Sequence, residues 1–410
     1  MSGKVLEQSQ SVYELLAADG ACSGQAKEVR TLIDKLQKRD MTVSIIGQFK
    51  RGKSSLSNAI LGAEILPVGI VPITSAVTRV VYGDKGCEVH FQNGVVTPIE
   101  FEELSAFISE QENADNRLGV DSVILRTPSE FLKDGLTFVD TPGVGSFHKN
   151  NTETAYHYMK ESDAVIFLLS VDSPINQIEI DFLQSTKEFA GKFYFAVNKI
   201  DVVGEADLQA YVQYCQKLLC QLMGVDSVAM FPVSAKTGAG VEELKTSIAE
   251  DCLKNVGEIL EESAAKKLKD LISRTLNQLD FYWKAMNMEY KELDDCFEQI
   301  HETVQACRTK AAATEGFYEL HLNEIKIQLS AKVLELFGME YQYEIEELPA
   351  GIVVMSKDDF LREVDTLCND LNTTLSDILL YREENAYAVV RRINAINRLG
   401  RSLRRIREEL

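Results

Sequence analysis

The strongest chemical signal in the sequence is a glycine-rich loop that could hold a phosphate group. Residues 47–54 read GQFKRGKS and fit the pattern GxxxxGK(S/T), directly after an apolar run at 43–46 and directly before a run typical of a helix. The glycines allow backbone amides to curl around a phosphate, Lys53 would reach the β- and γ-phosphates of a nucleotide, and Ser54 would bind Mg²⁺. The predicted phosphate-binding residues are Gly47, Gln48, Phe49, Lys50, Arg51, Gly52, Lys53, Ser54 and Ser55.

A second motif adds a candidate metal ligand. Asp140-Thr141-Pro142-Gly143 closes a predicted strand at 136–139. An aspartate at the end of a strand can lie near Mg²⁺, and the amide of Gly143 can contact a γ-phosphate. Because ligands bind beyond the carboxyl ends of the strands in open parallel sheets, we expect Ser54 and Asp140 to share one metal ion.

Two further motifs predict which base the site accepts. Asn198-Lys199-Ile200-Asp201 follows a predicted strand at 193–197, and Ser234-Ala235-Lys236 follows the last one, at 230–233. The Asp201 carboxylate can accept hydrogen bonds from the ring N–H and the amino group of guanine, which adenine cannot offer. A backbone amide after the last strand can meet the guanine oxygen. Taken singly, DTPG and NKID could be ordinary turns, but the four motifs together favour a guanine nucleotide site. The predicted contacts on the base side are Asn198, Lys199, Asp201, Ser234, Ala235 and Lys236.

The elements that must position these motifs alternate between strands and helices. Apolar runs predict strands at 43–46, 76–82, 88–91, 122–126, 136–139, 164–170, 193–197 and 230–233, with helices between most of them. Asn93-Gly94 predicts a hairpin turn. Seven of the eight prolines lie between Pro67 and Pro232, in this loop-rich part. The order predicts an α/β domain with a mostly parallel sheet and helices on both faces.

The C-terminal part has a helical period instead. Apolar residues recur at steps of three or four, as in a coiled coil or a long bundle helix. The period predicts one long helix over about 256–312, and further segments with this period lie at 317–337, 361–410 and, before the first strand, 5–38. We therefore predict three parts. They are an N-terminal helical segment (1–40) that packs with the C-terminal bundle, the α/β domain (41–250), and an all-α bundle or coiled-coil domain (251–410).

Composition excludes several classes of protein. The 410 residues carry a net charge of −20, and so acidic a surface argues against nucleic acid as the main partner. The eight cysteines and five histidines show no spacing typical of zinc ligands, and reduced, buried thiols are the simpler interpretation. No apolar run approaches the ~18 residues that a membrane-spanning helix needs, and the N-terminus has no apolar signal core. We expect a cytoplasmic protein.

Three stretches of the sequence resemble the bacterial dynamin-like proteins. They are GQFKRGKSSLSNAILG, LPVGIVPITSAVTRVVYG and VDTPGVGSFHKNNTETAYHYMKESDAVIFLLSVDSPINQIEIDFL, and the resemblance covers about 41–250. Between Thr74 and Asp140 lie 65 residues, far more than a minimal small GTPase uses, as in the expanded GTPase domain of dynamins. The resemblance implies GTP and GDP as ligands, Mg²⁺ as cofactor, hydrolysis of GTP, and flanking helices that form a neck and trunk.

The resemblance also implies roles that the motifs alone do not assign. Thr74 would be the switch I threonine, which binds Mg²⁺ and senses the γ-phosphate, with Thr78 as the alternative. Residues 144–150 would be switch II. The implied catalytic residues are Lys53, Thr74, Lys50 and Gly143, and the implied metal ligands are Ser54, Thr74 and Asp140.

Two departures from the family pattern concern the attacking water. Val144 stands where many small GTPases have a water-orienting glutamine, and Phe49, Lys50 and Arg51 replace the Gln-Ser pair of eukaryotic dynamins. Lys50 could place its ammonium near the β–γ bridge, where some dynamins bind a monovalent cation; the alternative is a solvated lysine. We therefore expect a homodimer through the GTPase face, or a paired dynamin-like homologue, to bring a cation such as Lys50, Arg51 or Lys149 close to the transferring phosphate.

Membrane contact is poorly specified by the sequence. The segment 348–355 could be a membrane paddle or a plain connection between helices with a hydrophobic plug. The last twenty residues carry seven arginines, so they could lie on an anionic membrane, at the inner face of the cell membrane, or form a bundle helix with a basic outer face. No helix-stop signal precedes Leu410, so we expect that the natural chain could continue. Three functions stay open: a dynamin-like GTPase that dimerises and moves its helical bundle, with membrane remodelling as one use; a soluble regulatory GTPase; and a GTP-dependent scaffold with negligible turnover.

Overall fold

The computed structural model describes most of the chain. The described residues are 3–19, 22–48, 50–68, 77–109, 112–113, 116–133, 135–141, 160–338, 355–382 and 386–410. Phe49, Thr74, Gly143 and the segment 144–150 lie outside them, as does all of 348–355 except Met355. Contacts divide the chain into two units. One unit contains Met1–Leu6 and Thr31–Lys267, and the other contains Glu7–Arg30 and Leu268–Leu410.

The described strands and helices have the following bounds. The strands are β1 (Met41–Ile46), β2 (Val77–Tyr82), β3 (Gly86–Phe91), β4 (Val96–Ile99), β5 (Val120–Thr127), β6 (Leu136–Asp140), β7 (Ala164–Ser170), β8 (Lys192–Asn198) and β9 (Met230–Pro232). The α-helices are α1 (Lys4–Ala17), α2 (Ser23–Lys38), α3 (Lys53–Leu61), α4 (Leu104–Ile108), α5 (Gln177–Thr186), α6 (Glu205–Met223), α7 (Val241–Glu250), α8 (Val256–Asn287), α9 (Tyr290–Ala313), α10 (Tyr318–Phe337), α11 (Lys357–Arg382) and α12 (Ala386–Glu409).

The first unit is built on a nine-stranded sheet in the order β4-β3-β5-β2-β6-β1-β7-β8-β9. From β6 to β9 each strand is parallel to its neighbour. β2 is parallel to β5 but antiparallel to β6, and β3 is antiparallel to both β4 and β5. The prediction of a mostly parallel sheet is confirmed.

Helices cover both faces of the central strands. β1 and β7 are buried along their whole length, which is why they are almost continuous apolar runs rather than alternating ones. The core on one face contains side chains of α3, α4 and α7, and the core on the other contains side chains of α5 and α6. The predicted α/β architecture is therefore confirmed.

A π-helical turn at Asp251–Asn255 joins α7 to α8 and lies against β8. Tyr194, fully buried in β8, donates from its hydroxyl to Oδ2 of Asp251 at 2.6 Å. Gly191 lies so close to α8 that an added Cβ would be 2.4 Å from the carbonyl oxygen of Ile259. The π-helical turn is thus held to the sheet by a buried hydrogen bond, and the start of α8 by close packing.

A buried carboxylate at the start of β7 holds α2 and α8. Asp163 accepts hydrogen bonds from the backbone N–H of Thr42 at 2.9 Å, from Oγ of Ser263 at 2.9 Å and from Nζ of Lys267 at 3.0 Å, and it pairs with Lys35. Burial lowers the pKa of Lys267 to about 8, although the charge of Asp163 opposes that shift. This cluster lies at the amino end of the strand, away from the glycine-rich loop.

The second unit is helical. Arg392 of α12 forms an ion pair with Asp19 at 2.7 Å, and Gln25 of α2 donates to Gln278 of α8 at 2.7 Å. The apolar face of α12 is buried within this unit; its buried residues are Ile396, Leu399, Leu403 and Ile406. Of the helices that the structure describes, none combines the length and the apolarity needed to span a bilayer.

The long helix predicted over 256–312 is two helices. α8 ends at Asn287 and α9 begins at Tyr290, and Glu289 between them is extended, with φ −65° and ψ 149°. The prediction was wrong because the step of three or four apolar positions continues through the break, where no glycine or proline marks it. In the segment predicted over 361–410 the structure describes helices α11 and α12, and residues 383–385 between them lie outside the described residues.

Candidate nucleotide site

The glycine-rich loop connects β1 to α3, as its sequence predicts. An added Cβ on Gly47 would lie 2.6 Å from the carbonyl oxygen of Leu168 in β7. Gly52 has a φ of +93°, and an added Cβ there would lie 2.6 Å from Nδ2 of Asn198. Both positions therefore require glycine, one because of close packing on the sheet and the other also because of its left-handed backbone.

Lys53 is folded back into the loop. Its Nζ donates to the carbonyl oxygens of Gly47 at 2.9 Å and Gln48 at 3.3 Å, and the residue is 9% exposed. Burial lowers the pKa of Lys53 to about 8, and the carboxylates of Asp140 and Glu179 oppose the shift. The loop thus holds one buried ammonium that is still charged at neutral pH, which suits it to a phosphate.

Two hydroxyls and a carboxylate converge beside Lys53. Ser54 Oγ donates to Oδ2 of Asp140 at 2.8 Å, and Ser57 Oγ donates to Oδ1 of the same carboxylate at 3.1 Å. Burial raises the pKa of Asp140, and the Lys53 charge and the two hydroxyls oppose that rise. Such oxygen ligands fit Mg²⁺. The described residues contain no cluster of three or more His, Cys, Asp or Glu side chains that could hold a metal.

Thr78, the alternative to Thr74, lies in β2 directly opposite Asp140. Residues directly opposite each other on paired strands project to the same face of a sheet. Thr78 is fully buried, and its Oγ1 has no hydrogen-bond partner within the described part of the chain. A polar atom left unpaired beside a candidate metal ligand is compatible with a role at that ligand, and the choice between the two threonines stays a prediction.

The motif predicted to bind the base (residues 198–201, the base motif) directly contacts the glycine-rich loop (residues 47–54, the phosphate loop). Asn198, 2% exposed, donates from Nδ2 to the carbonyl oxygen of Arg51 at 2.9 Å and accepts at Oδ1 from the amide of Ala235 at 3.0 Å. Lys199 donates from Nζ to the carbonyl oxygen of Lys50 at 2.8 Å and to Asp172 at 2.7 Å. Side chains of one motif thereby hold the backbone of the other.

The Asp201 carboxylate lies at the wall of a large cavity. Its Oδ1 accepts a hydrogen bond from Oγ of Ser234 at 2.7 Å, and this bond lowers its pKa. The cavity has a volume of about 980 Å³ and extends from the loop to the base motifs. Its polar lining includes Ser55, Asn58, Asn198, Lys199, Asp201 and Lys236. An ionised carboxylate at this wall can accept from a base that offers two N–H donors.

The sequence led us to expect that the Arg51 side chain could reach the phosphate of a partner molecule, and the structure places it elsewhere. Its guanidinium points into the protein and forms a buried ion pair with Glu179 at 2.7 Å, with both side chains 2% exposed or less. Lys50, by contrast, has an exposed side chain on a backbone with a φ of +68°.

Two residues at the site, Glu179 and Ser57, were not predicted from the sequence. Asn176-x-x-Glu179 before an apolar run is the pattern of a helix N-terminus, but it does not indicate the contact with Arg51.

Comparisons with known proteins relate the chain to a family. Residues 43–201 match the sequence profile of the dynamin family. An uncharacterized protein in the xynA 3′ region of Caldicellulosiruptor sp. (strain Rt8B.4) is 31% identical over 310 residues, which cover 71% of this chain and 76% of that protein. Dynamin-like protein 2 of Campylobacter jejuni is 27% identical over 330 residues, which cover 74% of this chain and 52% of that protein.

A solved structure of an oligomerised bacterial dynamin pair, described as a mechanism for long-range sensing and tethering of membranes, aligns at 17% identity with a TM-score of 0.45. The alignment covers 98% of this chain and 78% of that chain. The chain spans about half the length of the Campylobacter relative. The profile matches the dynamin family, and two relatives align with more than 70% of the chain. The chain therefore belongs to the dynamin family, among the bacterial dynamin-like proteins.

Proposed function

We propose that the protein binds GTP and GDP with Mg²⁺ and hydrolyses GTP. The observation that carries this proposal is the Asn198 side chain, which joins the phosphate loop at Arg51 to the base motif at Ala235. This contact holds the two parts at a fixed spacing, as a site for one whole nucleotide needs.

Each residue of the site would act by position and charge, which account for most catalysis of phosphoryl transfer. Lys53 would supply its ammonium to the β- and γ-phosphate oxygens, and Asp201 would accept from guanine. Ser54, Asp140 and Thr74 would hold Mg²⁺, which neutralises charge on the same phosphates when bound. The amide of Gly143 would contact the γ-phosphate.

Nucleotide titration tests the binding part of this proposal. We expect calorimetry to show much tighter binding of GDP than of ADP. Lys53→Ala should abolish tight binding, because it removes the buried ammonium, whereas Lys254→Ala, at a lysine whose side chain is 67% exposed in the π-helical turn, should not. Equal affinities for GDP and ADP in the unmodified protein would overturn the assignment of guanine.

Hydrolysis should depend on a second molecule. No glutamine follows Gly143, and the phenyl ring of Phe49 cannot hold a water by hydrogen bonding, so a lone site would be slow. A homodimer through the nucleotide face, or a paired homologue, would order the switches and could supply a cation, which raises turnover by roughly 10³–10⁵. Because the Arg51 side chain is committed to Glu179, Lys50 and Lys149 are the remaining candidates.

Turnover per molecule, measured against protein concentration, tests this dependence. We expect it to rise with concentration and GDP–aluminium fluoride to drive dimerisation. If a partner homologue is required, the turnover of the pure chain should stay slow at every protein concentration. A specific activity that is high and independent of concentration would refute both the homodimer and the paired homologue. Thr74→Ala should spare GDP binding and reduce turnover, and unchanged turnover would move the role to Thr78.

The helical unit limits how the protein could contact a membrane. The apolar face of α12 is buried, which favours a bundle helix with a basic outer face over a helix that inserts its apolar face. Arg391, Arg398, Arg401 and Arg405 are exposed and could contact anionic lipid. Co-sedimentation with anionic and neutral vesicles, with and without GTP, tests this. Binding to neither would favour a soluble regulatory GTPase or a scaffold.

A further inference from the structure

The Arg51 side chain makes the densest set of buried polar contacts at the site. Nε and Nη2 donate to the two carboxylate oxygens of Glu179 at 2.9 and 2.7 Å. Nη1 donates to the carbonyl oxygen of Ser173 at 2.7 Å and to Oγ of Ser170 at 3.0 Å, and Nη2 donates to the carbonyl oxygen of Pro174 at 3.0 Å. Every N–H donor of the guanidinium therefore has an acceptor between the last residue of β7 and the first turn of α5.

Glu179 has a second task at the start of α5. Asn176 caps this helix, accepting from the amide of Glu179 at 3.1 Å, while Oε2 of Glu179 accepts from the amide of Asn176 at 3.2 Å. The Nδ2 of Asn176 in turn donates to Oε1 of Gln48 at 2.8 Å. Two side chains of the phosphate loop, Gln48 and Arg51, therefore contact the N-terminus of α5.

A buried ion pair is a poor source of net stability, because desolvation of both charges offsets most of their attraction, and an apolar pair of similar size is often as stable. Fixing one geometry is the better-supported use of such a pair. Here the geometry concerns a loop whose carbonyl oxygens at Lys50 and Arg51 are also held, by Lys199 and Asn198. The charge of the Glu179 carboxylate also opposes the lowering of the Lys53 pKa by burial.

We propose that Arg51 and Glu179 are positioning residues for the nucleotide, holding the phosphate loop in its binding conformation before the nucleotide arrives. The inference rests on the proposed function of the same site. A loop organised in advance spends less binding free energy on ordering itself. Loss of the pair should therefore weaken GDP and GTP alike and speed their dissociation, because both nucleotides use the same loop.

A double variant separates positioning from stability. Arg51→Met alone leaves a buried carboxylate unpaired and could unfold the unit, so the informative protein is Arg51→Met/Glu179→Gln. It carries no buried charge at the pair, and glutamine at 179 can still complete the cap of α5. Tyr194→Phe is the matched control. It removes a buried hydrogen bond near the amino end of β8, whereas the phosphate loop contacts the carboxyl end of that strand at Asn198.

The experiment measures the melting temperature of each nucleotide-free protein and its Kd and dissociation rate for a fluorescent GDP, with Mg²⁺ present. We expect the double variant to melt within a few degrees of the unmodified protein but to bind GDP at least about tenfold more weakly and release it faster. Tyr194→Phe should melt earlier with unchanged Kd. Full-strength GDP binding by a folded double variant would overturn this inference alone, whereas absence of GDP binding by the unmodified protein would overturn the proposed function and the inference with it.

Discussion

Replacing Asn198 with alanine should weaken nucleotide binding strongly. The change removes the donor to the carbonyl oxygen of Arg51 and the acceptor of the Ala235 amide, and Asn198 is 2% exposed. A buried polar group left without a partner costs about 1–3 kcal/mol, so the two groups together cost about 2–6 kcal/mol. Because the cavity beside Ala235 can admit water, we expect the low end, about 2 kcal/mol. At 1.4 kcal/mol per factor of ten, that is a roughly 30-fold rise in Kd if the loss falls on binding.

The assay is titration of GDP by fluorescence or calorimetry, with thermal unfolding recorded beside it. Asn113→Ala is the matched control, because Asn113 is also fully buried and contacts the backbone of Phe107 and Leu118, far along the chain from every predicted site residue. We expect the control to lose stability and keep its Kd. If Asn198→Ala loses stability to a similar extent but also keeps its Kd, the asparagine is structural, and the reasoning that it joins the two halves of the site fails.

Asp201→Asn should weaken GDP and favour xanthosine diphosphate, since an amide cannot accept from both guanine donors; competition between the two nucleotides measures this, and unchanged preference would contradict it. Gly191→Ala should lower stability by about 1–3 kcal/mol, because the new Cβ would meet the backbone of Ile259, whereas Gly24→Ala, with no atom near the new methyl, should be neutral or stabilising in thermal unfolding. Lys267, whose pKa is lowered to about 8, should make the free energy of unfolding rise with pH above 8, because the unfolded chain keeps that proton up to about pH 10.5. By pH 9.5 the unmodified protein should gain about 2 kcal/mol relative to Lys267→Met in urea unfolding, and parallel pH profiles would contradict the shift.

The parts of the fold that the sequence predicted correctly depend on local patterns. β1, β7 and β8 are buried apolar runs next to polar motifs, so their type and, to within one residue, their carboxyl ends could be inferred without knowing their neighbours. The hairpin turn at Asn93-Gly94 correctly placed β3 next to β4. The glycine-rich loop lies where its pattern requires, between β1 and α3.

What the sequence did not predict depends on partners far apart in the chain or on backbone geometry. Arg51 and Glu179 are 128 residues apart, so no local pattern joins them, and the arginine's place in the loop suggested a phosphate contact instead. The break before α9 was not predicted for a different reason. The spacing of apolar residues can continue unchanged from one helix into the next when both helices pack on the same neighbour. Thr74 and Gly143 lie outside the described residues, and their roles stay predictions.

The two outer strands of the described sheet have one property in common, and it bears on how the protein behaves when concentrated. β4 has four residues and contains Pro98, and β9 has three and ends at Pro232. An outer strand offers unpaired backbone groups to any other extended chain, which is a common route to aggregation, and short strands with proline offer few. At high protein concentration the molecules should therefore resist pairing through these outer strands. Replacing Pro98, which would give β4 one more backbone N–H donor, should increase turbidity on heating before it changes GDP binding.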